Sequence, residues 1–236
     1  MKERPILFSG PMVRAILAGT KTQTRRVVTD ATSQGNWRAS DLDLSTAWVD
    51  HGPSPAGNPG PYLKARPTPE GFRRHDWPAD DQIVDRLYPC WFPGDRPWVR
   101  ESFVLGRALK GGVPRDLVAF FRDGRVHYTT DDCRRNPDAP EGCENWTLKH
   151  ANKPSIHMPR WASRLTLEIT DVRVQRVQEI SEEDVAAEGV PRSCEEPDCT
   201  CWLDNFRQLW GSINGKRAPW ASNPWVWALT FRRVDS

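Results

Sequence analysis

The segment from Lys21 to Arg26 places one lysine, two threonines and two arginines side by side. A threonine hydroxyl becomes a nucleophile when a neighbouring base takes its proton. Lysine can be that base only when burial or nearby cations lower its pKa from about 10.4 toward neutrality. Arg25 and Arg26 would supply such cations, or would bind a carboxylate, phosphate or carbonyl group of a ligand. The segment is therefore the candidate functional centre, and the alternative is a solvated basic strand end.

The spacing inside this segment leaves two candidates for the nucleophile. Side chains of a regular strand alternate between two faces, so Lys21 and Thr24 point to opposite sides. They meet only if Lys21 belongs to the preceding turn or if the strand bulges near Thr22. Thr22 therefore stays open as an alternative to Thr24.

The elements that must position these residues predict an α+β fold. Apolar spacing indicates a helix that carries Met12 and Ile16 and ends at Gly19, followed by a strand over Lys21–Val28. Further strands are expected at 6–8, 98–103, 118–121, 125–128, 165–177 and 224–231, and further helices at 181–189 and 203–213. Several strands with short helices at their connections favour a small, partly closed β-barrel.

Two segments depart from this pattern. Residues 29–90 show no lasting apolar period, and seven of the 21 prolines fall between 51 and 80. Residues 131–155 are polar and irregular. We expect both to be long irregular insertions in a single domain that spans residues 1–236.

Several short motifs together resemble the ASCH domain family, which has a PUA-like β-barrel fold. Residues 16–26 match the pattern Ile-Leu-x-Gly-x-Lys-Thr-x-Thr-x-Arg. The resemblance continues at Gly94-Asp95-x-x-Trp98-Val99-Arg100-Glu101, at the strand 165–177, at the helix 184–189 and at Asn223-Pro224-Trp225-Val226-Trp227. The order of these blocks is similar to that of the longer ASCH proteins of bacteriophages and prophages.

The resemblance implies an activity and a set of site residues. The best-understood family members are small bacterial amidohydrolases that remove the acyl group from N(4)-acetylcytidine. By motif position, the catalytic lysine, threonine and glutamate fall on Lys21, Thr24 and Glu188, and an assisting arginine falls on Arg26. Lys21 would take the proton of Thr24, and Glu188 would activate water or protonate the leaving amine. On sequence grounds alone, Glu188 also fits a solvated residue at a helix end.

A second segment has residues suited to binding a base. His157, Arg160 and Trp161 lie just before the long strand at 165–177. An indole can stack on a nucleobase, and histidine and arginine can contact the polar edges of the base. We expect these three residues, with Thr22 and Arg25, to bind substrate. The alternative is an ordinary packed connection stiffened by proline.

The cysteines provide a candidate zinc site that we do not favour. Cys194, Cys199 and Cys201 lie close together, and thiolates in a reducing cell bind zinc. Their spacing is not a paired C-x-x-C pattern, and the resemblance carries no metal requirement. We therefore expect no cofactor.

Composition and charge exclude some classes of protein. The net charge of +2 gives no overall basic field for non-specific nucleic-acid binding. No segment approaches the roughly 20 apolar residues that cross a bilayer, and no secretion signal is evident, so we expect a cytoplasmic protein without a membrane partner, in a bacterial host cell if a phage encodes it.

The leading functional prediction is an amidohydrolase acting on N(4)-acylated cytosine, cytidine or a related modified nucleobase. The expected partner is thus a small nucleoside or nucleobase. The alternative is a non-catalytic module that binds RNA or a modified nucleobase, in which Arg25, Arg26, Arg160 and Arg164 would contact phosphate.

Overall fold

The computed structural model describes residues 1–30, 33–34, 38–51, 61–74, 85–110, 113–121, 126–128, 153–191 and 201–234. The chain divides into two compact units. The first unit comprises Met1–Leu17, Arg96–Glu168 and Arg233–Ser236, and the second comprises Ala18–Asp95 and Ile169–Arg232.

The first unit contains strands from the beginning and middle of the chain. Its helix α1 spans Gly10–Leu17, and its strands are β1 (Pro5–Leu7), β7 (Trp98–Arg100), β8 (Phe103–Lys110), β9 (Val113–Phe121) and β10 (Val126–Tyr128). β1 pairs with β7 in parallel, while β8, β9 and β10 form an antiparallel sheet in the order β10-β9-β8. The predicted helix and the predicted strands at 6–8, 118–121 and 125–128 are confirmed. The residues that connect these last two strands, 122–125, lie outside the described residues.

The strand predicted at 98–103 is interrupted. Glu101 and Ser102 separate two strands, because β7 ends at Arg100 and β8 begins at Phe103. Glu101 is buried and forms a two-pronged ion pair with Arg164, with both N–O distances 2.8 Å. This pair occupies the position at which the chain leaves one strand for the other.

The second unit holds the strand that contains the candidate segment. β2 (Gln23–Val27) pairs antiparallel with β12 (Trp225–Val234), and β11 spans Thr166–Arg176. Within this unit the strand order is β11-β12-β2. The alternation predicted for residues 165–177 is confirmed at the start of β11, where Leu167 and Ile169 are buried. Two successive exposed residues, Thr170 and Asp171, then shift its phase, so that Val172 and Val174 are the next buried positions.

Two helices of the second unit pack on a common core. α3 spans Glu182–Ala187, and α4 spans Cys201–Asn214, as the sequence predicted to within a few residues. The Ser181 hydroxyl accepts a hydrogen bond from the Asp184 N–H and so caps α3. The core beneath the helices consists of Val177, Ile180, Val185, Val190, Phe206, Trp210, Ala218 and Val226.

The expectation of irregular structure over residues 29–90 is wrong. This part of the chain forms a four-stranded sheet in the order β3-β6-β5-β4 and a short helix, α2. The bounds are Ser33–Gln34 for β3, Leu42–Asp50 for β4, Tyr62–Pro67 for β5, Pro69–Arg74 for α2 and Asp85–Pro89 for β6. Pro67 and Pro89 stand at strand ends, where a missing N–H is tolerated, so the prolines delimit the strands rather than abolish them.

The fold is therefore a mixed α/β arrangement with sheet-rich cores and few short helices. Within the described ranges no closed barrel is found, and the PUA-like barrel stays a prediction. Of the second expected insertion, residues 131–152 lie outside the described ranges. No helix in the described part of the chain is long and apolar enough to cross a membrane.

A pair of helical glycines tests the packing of α2. A Cβ at Gly71 would collide with the carbonyl oxygen of Asp41, a buried residue that also pairs with Arg74, whereas a Cβ at Gly211 in α4 meets nothing within 4 Å. Gly71→Ala should therefore lower the free energy of unfolding by about 1–3 kcal/mol, because backbone atoms must shift. Gly211→Ala should raise it by up to about 1 kcal/mol through helix propensity. Urea denaturation measures both changes, and equal effects of the two substitutions would contradict the packing described here.

Candidate functional site

Backbone hydrogen bonds fix the start of the candidate segment. Lys21 forms an isolated antiparallel bridge with Glu188, and the Thr22 N–H donates to the Ala187 carbonyl at 2.8 Å. On the other side, the Phe231 N–H donates to the Thr22 carbonyl at 2.8 Å. The beginning of this segment is therefore held between the end of α3 and strand β12.

The period of the strand and the period of the helix decide which side chains meet. Lys21, Gln23 and Arg25 lie on one face because strand side chains alternate. Asp184 and Glu188 lie on one face of α3 and its cap because they are four residues apart. These two faces are in contact, and we call the five residues the Lys21–Glu188 cluster.

The ammonium group of Lys21 is fully enclosed. Its Nζ donates to Glu188 Oε2 at 2.6 Å, to the Glu188 carbonyl at 2.9 Å and to the Gln23 carbonyl at 2.8 Å. The Lys21 side chain is 0% exposed and that of Glu188 is 5% exposed. Three acceptors thus match the three N–H bonds of a protonated lysine.

Arg25 bridges the two carboxylates of the cluster. Its Nη2 donates to Asp184 Oδ2 at 2.6 Å, and its Nη1 donates to Gln23 Oε1 at 2.7 Å and to Glu188 Oε1 at 3.1 Å. The guanidinium carbon lies 5.9 Å from the centre of the Phe206 ring. Arg25 was expected to bind substrate, but its side chain is only 1% exposed and these internal partners occupy both terminal nitrogens.

Asp184 is the point at which three side chains converge. Besides Arg25, it accepts from Arg173 Nη2 at 2.7 Å and from Gln23 Nε2 at 3.1 Å. Arg173 comes from β11, so Asp184 joins β2 and β11 to helix α3. The sequence predicted Asp184 only as part of the helix at 181–189, and it assigned no role to Gln23. The two-residue spacing of Lys21, Gln23 and Arg25 was the signal that could have found the set.

Burial and neighbouring charges shift the pKa values of the cluster. Burial lowers the pKa of Lys21 below 10.5, although the charge and hydrogen bond of Glu188 oppose this change. Burial also lowers the pKa of Arg26, and Glu188 again opposes the shift. Burial raises the pKa of Asp184, but the hydrogen bond from Arg173 and the charges of Arg25 and Arg173 outweigh it, so the net shift is downward.

Thr24, Thr22 and Arg26 belong to the opposite face of the segment. Thr24 is buried and pairs through its backbone with Leu229, and its hydroxyl is not among the hydrogen bonds that join the cluster in the described residues. Thr22 is exposed, and Arg26 is half-buried. The assignment of Thr24 as nucleophile and of Arg26 as its support therefore remains a prediction.

His157, Arg160 and Trp161 lie in the first unit, whereas the whole cluster lies in the second. His157 is exposed at the end of a single 3₁₀ turn, and the Arg160 guanidinium lies 5.8 Å from the Trp98 ring centre. Trp161 packs against a small core of Phe103, Met158 and Ala162. This packing matches the alternative reading of Trp161 as part of a connection, and a role in binding stays a prediction.

Two of the three cysteines of the candidate zinc site, Cys194 and Cys199, lie outside the described residues. The third, Cys201, is half-buried at the start of α4. Across the described ranges, no group of three or more histidine, cysteine or acidic side chains is arranged to hold a metal ion.

Comparison of the chain with family models, curated proteins and solved structures finds no match.

The ion pairs of Asp184 make stability depend on pH in a definite direction. Because the folded-state pKa of Asp184 lies below 3.8, this carboxylate stabilises the folded state above that pH, and the contribution disappears as the pH falls through the folded-state value. Asp184→Asn should lower the free energy of unfolding at pH 7 by about 3 kcal/mol, since it leaves Arg25 without its shortest partner. The deficit relative to wild type should shrink below pH 3.8.

Urea denaturation at a series of pH values measures this deficit. The control is Glu183→Gln, which removes a charge from an exposed position in the same helix. A deficit that is the same at acid and neutral pH would show that Asp184 acts through its shape rather than its charge.

Proposed function

We propose that this protein is an amidohydrolase that removes an acyl group from N(4)-acylated cytosine, cytidine or a related modified nucleobase. The observation that carries the proposal is the buried contact of 2.6 Å between Lys21 Nζ and Glu188 Oε2. The motifs that resemble the ASCH family assign catalytic roles to these same two residues, which are 167 positions apart in the chain. The resemblance supplies the substrate class, and the contact supplies a pair able to exchange a proton.

Proton transfer within this pair generates the base. Lys21 as an ammonium cannot accept a proton, but it can pass one to Glu188 Oε2 along the existing hydrogen bond. The transfer replaces two buried charges by a neutral amine and a neutral acid. Burial, which lowers the pKa of Lys21, favours this change.

In the remaining steps Lys21 accepts one proton and Glu188 donates another. The neutral amine of Lys21 takes the Thr24 proton while the oxygen attacks the acyl carbonyl, and protonated Glu188 gives its proton to the leaving amino nitrogen of the base. Water then hydrolyses the threonine ester, which releases the carboxylic acid and restores the hydroxyl. Arg26 stabilises the oxyanion of each addition step. The sequence of steps requires the Thr24 hydroxyl to reach Lys21 Nζ when substrate is bound.

A matched pair of threonine substitutions tests the proposal. Thr24→Val removes a buried hydroxyl at nearly constant volume, and Thr22→Val does the same at an exposed position two residues away. With N(4)-acetylcytidine as substrate, kcat of Thr24→Val should fall by about 10³-fold or more, because the nucleophile is lost. Thr22→Val should turn over nearly as fast as wild type. Chromatographic quantification of the released cytidine measures the turnover of both variants.

The opposite result identifies the other threonine. Loss of turnover in Thr22→Val alone would assign Thr22 as the nucleophile and overturn the role given to Thr24. Full activity in both variants would rule out a threonine ester as intermediate.

A second candidate function is binding of RNA or a modified nucleobase without catalysis. The three hydrogen bonds of the Lys21 ammonium favour it, because a fully matched cation stabilises a fold without further chemistry. The internal ion pairs of Arg25 and Arg164 oppose it, because these guanidinium groups already bind carboxylates. Wild-type protein that hydrolyses no acylated cytosine, but binds RNA with an affinity that falls steeply with salt, would decide for binding.

A further inference from the structure

The two carboxylate oxygens of Glu188 have different partners. Oε2 accepts from Lys21 at 2.6 Å, and Oε1 accepts from Arg25 at 3.1 Å. A guanidinium facing a carboxylate ordinarily binds both oxygens through two parallel N–H bonds. Arg25 does not, even though it is buried beside Glu188.

Asp184 accounts for this departure. It accepts from Arg25 Nη2 at 2.6 Å, which is the shortest of the guanidinium contacts, so Nη2 is directed at Asp184 and Nη1 is the terminal nitrogen that contacts Glu188. Nη1 is itself shared with Gln23 at 2.7 Å. Asp184 cannot readily follow a moving arginine, because Arg173 and Gln23 also hold its carboxylate and Ser181 caps its N–H.

We propose that Asp184 is a positioning residue that reserves Glu188 Oε2 for Lys21. By holding Arg25 Nη2, Asp184 prevents Arg25 from binding both oxygens of Glu188. Without Asp184, Nη2 would be left buried and unpaired, and rotation of the guanidinium onto Glu188 would restore its partner. Lys21 would then lose its closest acceptor.

The charge state of Lys21 reports this competition directly. Lys21 is surrounded by Glu188 from the end of α3 and by Arg25 and Arg26 from β2, with Asp184 and Arg173 beyond Arg25. Displacing Lys21 from Glu188 removes the interaction that supports its ammonium form, so its pKa must fall further. The pKa can be followed by NMR of the lysine side-chain nitrogen and neighbouring carbon, with Lys21→Arg used to assign the signal.

The first experiment compares the pKa of Lys21 in wild type, in Asp184→Asn and in Glu183→Gln. Asp184→Asn should lower the pKa of Lys21 by about one unit or more, the range associated with loss of a close opposite charge. Glu183→Gln removes the same charge from a neighbouring, exposed position and should leave the pKa of Lys21 nearly unchanged. An unchanged pKa in Asp184→Asn would overturn the proposal and leave Asp184 a purely structural residue.

The second comparison asks whether Asp184 acts through Arg25. In an Arg25→Gln background no guanidinium competes for Glu188, so adding Asp184→Asn should not change the pKa of Lys21 further. A shift as large as that in the wild-type background would show a direct effect and overturn the proposal. The double variant removes both members of the Arg25–Asp184 ion pair, so neither of these two groups is left buried without the other, and the test remains open if Asp184→Asn alone fails to fold. Its Lys21 pKa should then lie close to the wild-type value.

The consequence for turnover rests on the proposed function, whereas the pKa of Lys21 does not. If the pKa of Lys21 shifts as expected but wild type hydrolyses no acylated cytosine, positioning by Asp184 stands and the proposed function fails. If wild type is active and Asp184→Asn leaves both the Lys21 pKa and the pH profile of kcat unchanged, the proposed function stands and positioning fails.

Discussion

The buried ion pair between Lys21 and Glu188 is the contact on which the second unit depends. Removing an ammonium and a carboxylate from water costs several kcal/mol each, and only close partners offset this cost. Lys21 has Glu188 Oε2 at 2.6 Å and two backbone carbonyls within 2.9 Å, so its charge is compensated on all three N–H bonds. The same contact joins the start of β2 to the end of α3, because the backbones of these two residues also pair.

The balance of charge within the cluster determines what chemistry it can perform. Lys21 and Arg25 are matched by Asp184 and Glu188, so the four groups carry no net charge when all are ionised. A proton that moves from Lys21 to Glu188 leaves this balance intact, because both become neutral together. Arg25 and Asp184 take no part in this transfer, because neither lies on the hydrogen bond between Lys21 and Glu188. The cluster therefore has one pair, Lys21 and Glu188, that can exchange a proton, and a second pair, Arg25 and Asp184, that holds the first pair in place.

Periodicity predicted the regular elements of the chain, but not the partners of its charged residues. β11, α3 and α4 follow directly from alternation and helical spacing, and the family resemblance pointed to Lys21 and Glu188. The sheet over residues 33–89 was missed because its prolines, such as Pro67 and Pro89, obscure strands that they in fact terminate. Arg25 was expected to face a ligand because sequence shows charge and not burial. Asp184 was missed because two of its three side-chain partners, Arg25 and Gln23, are 159 and 161 residues away, beyond the reach of any local pattern.

The same separation in sequence has a consequence for the order of folding. The contacts of Lys21 with Glu188 span 167 residues, and β2 pairs with β12 at the far end of the described chain. Contacts of this kind require closure of long loops, which makes them slow to form compared with local hairpins and helices. During synthesis, α1 and the β4–β5 pair can form long before Glu188 has been made. The cluster is thus a late product of folding, and a partly synthesised chain contains the lysine without the carboxylate that neutralises it.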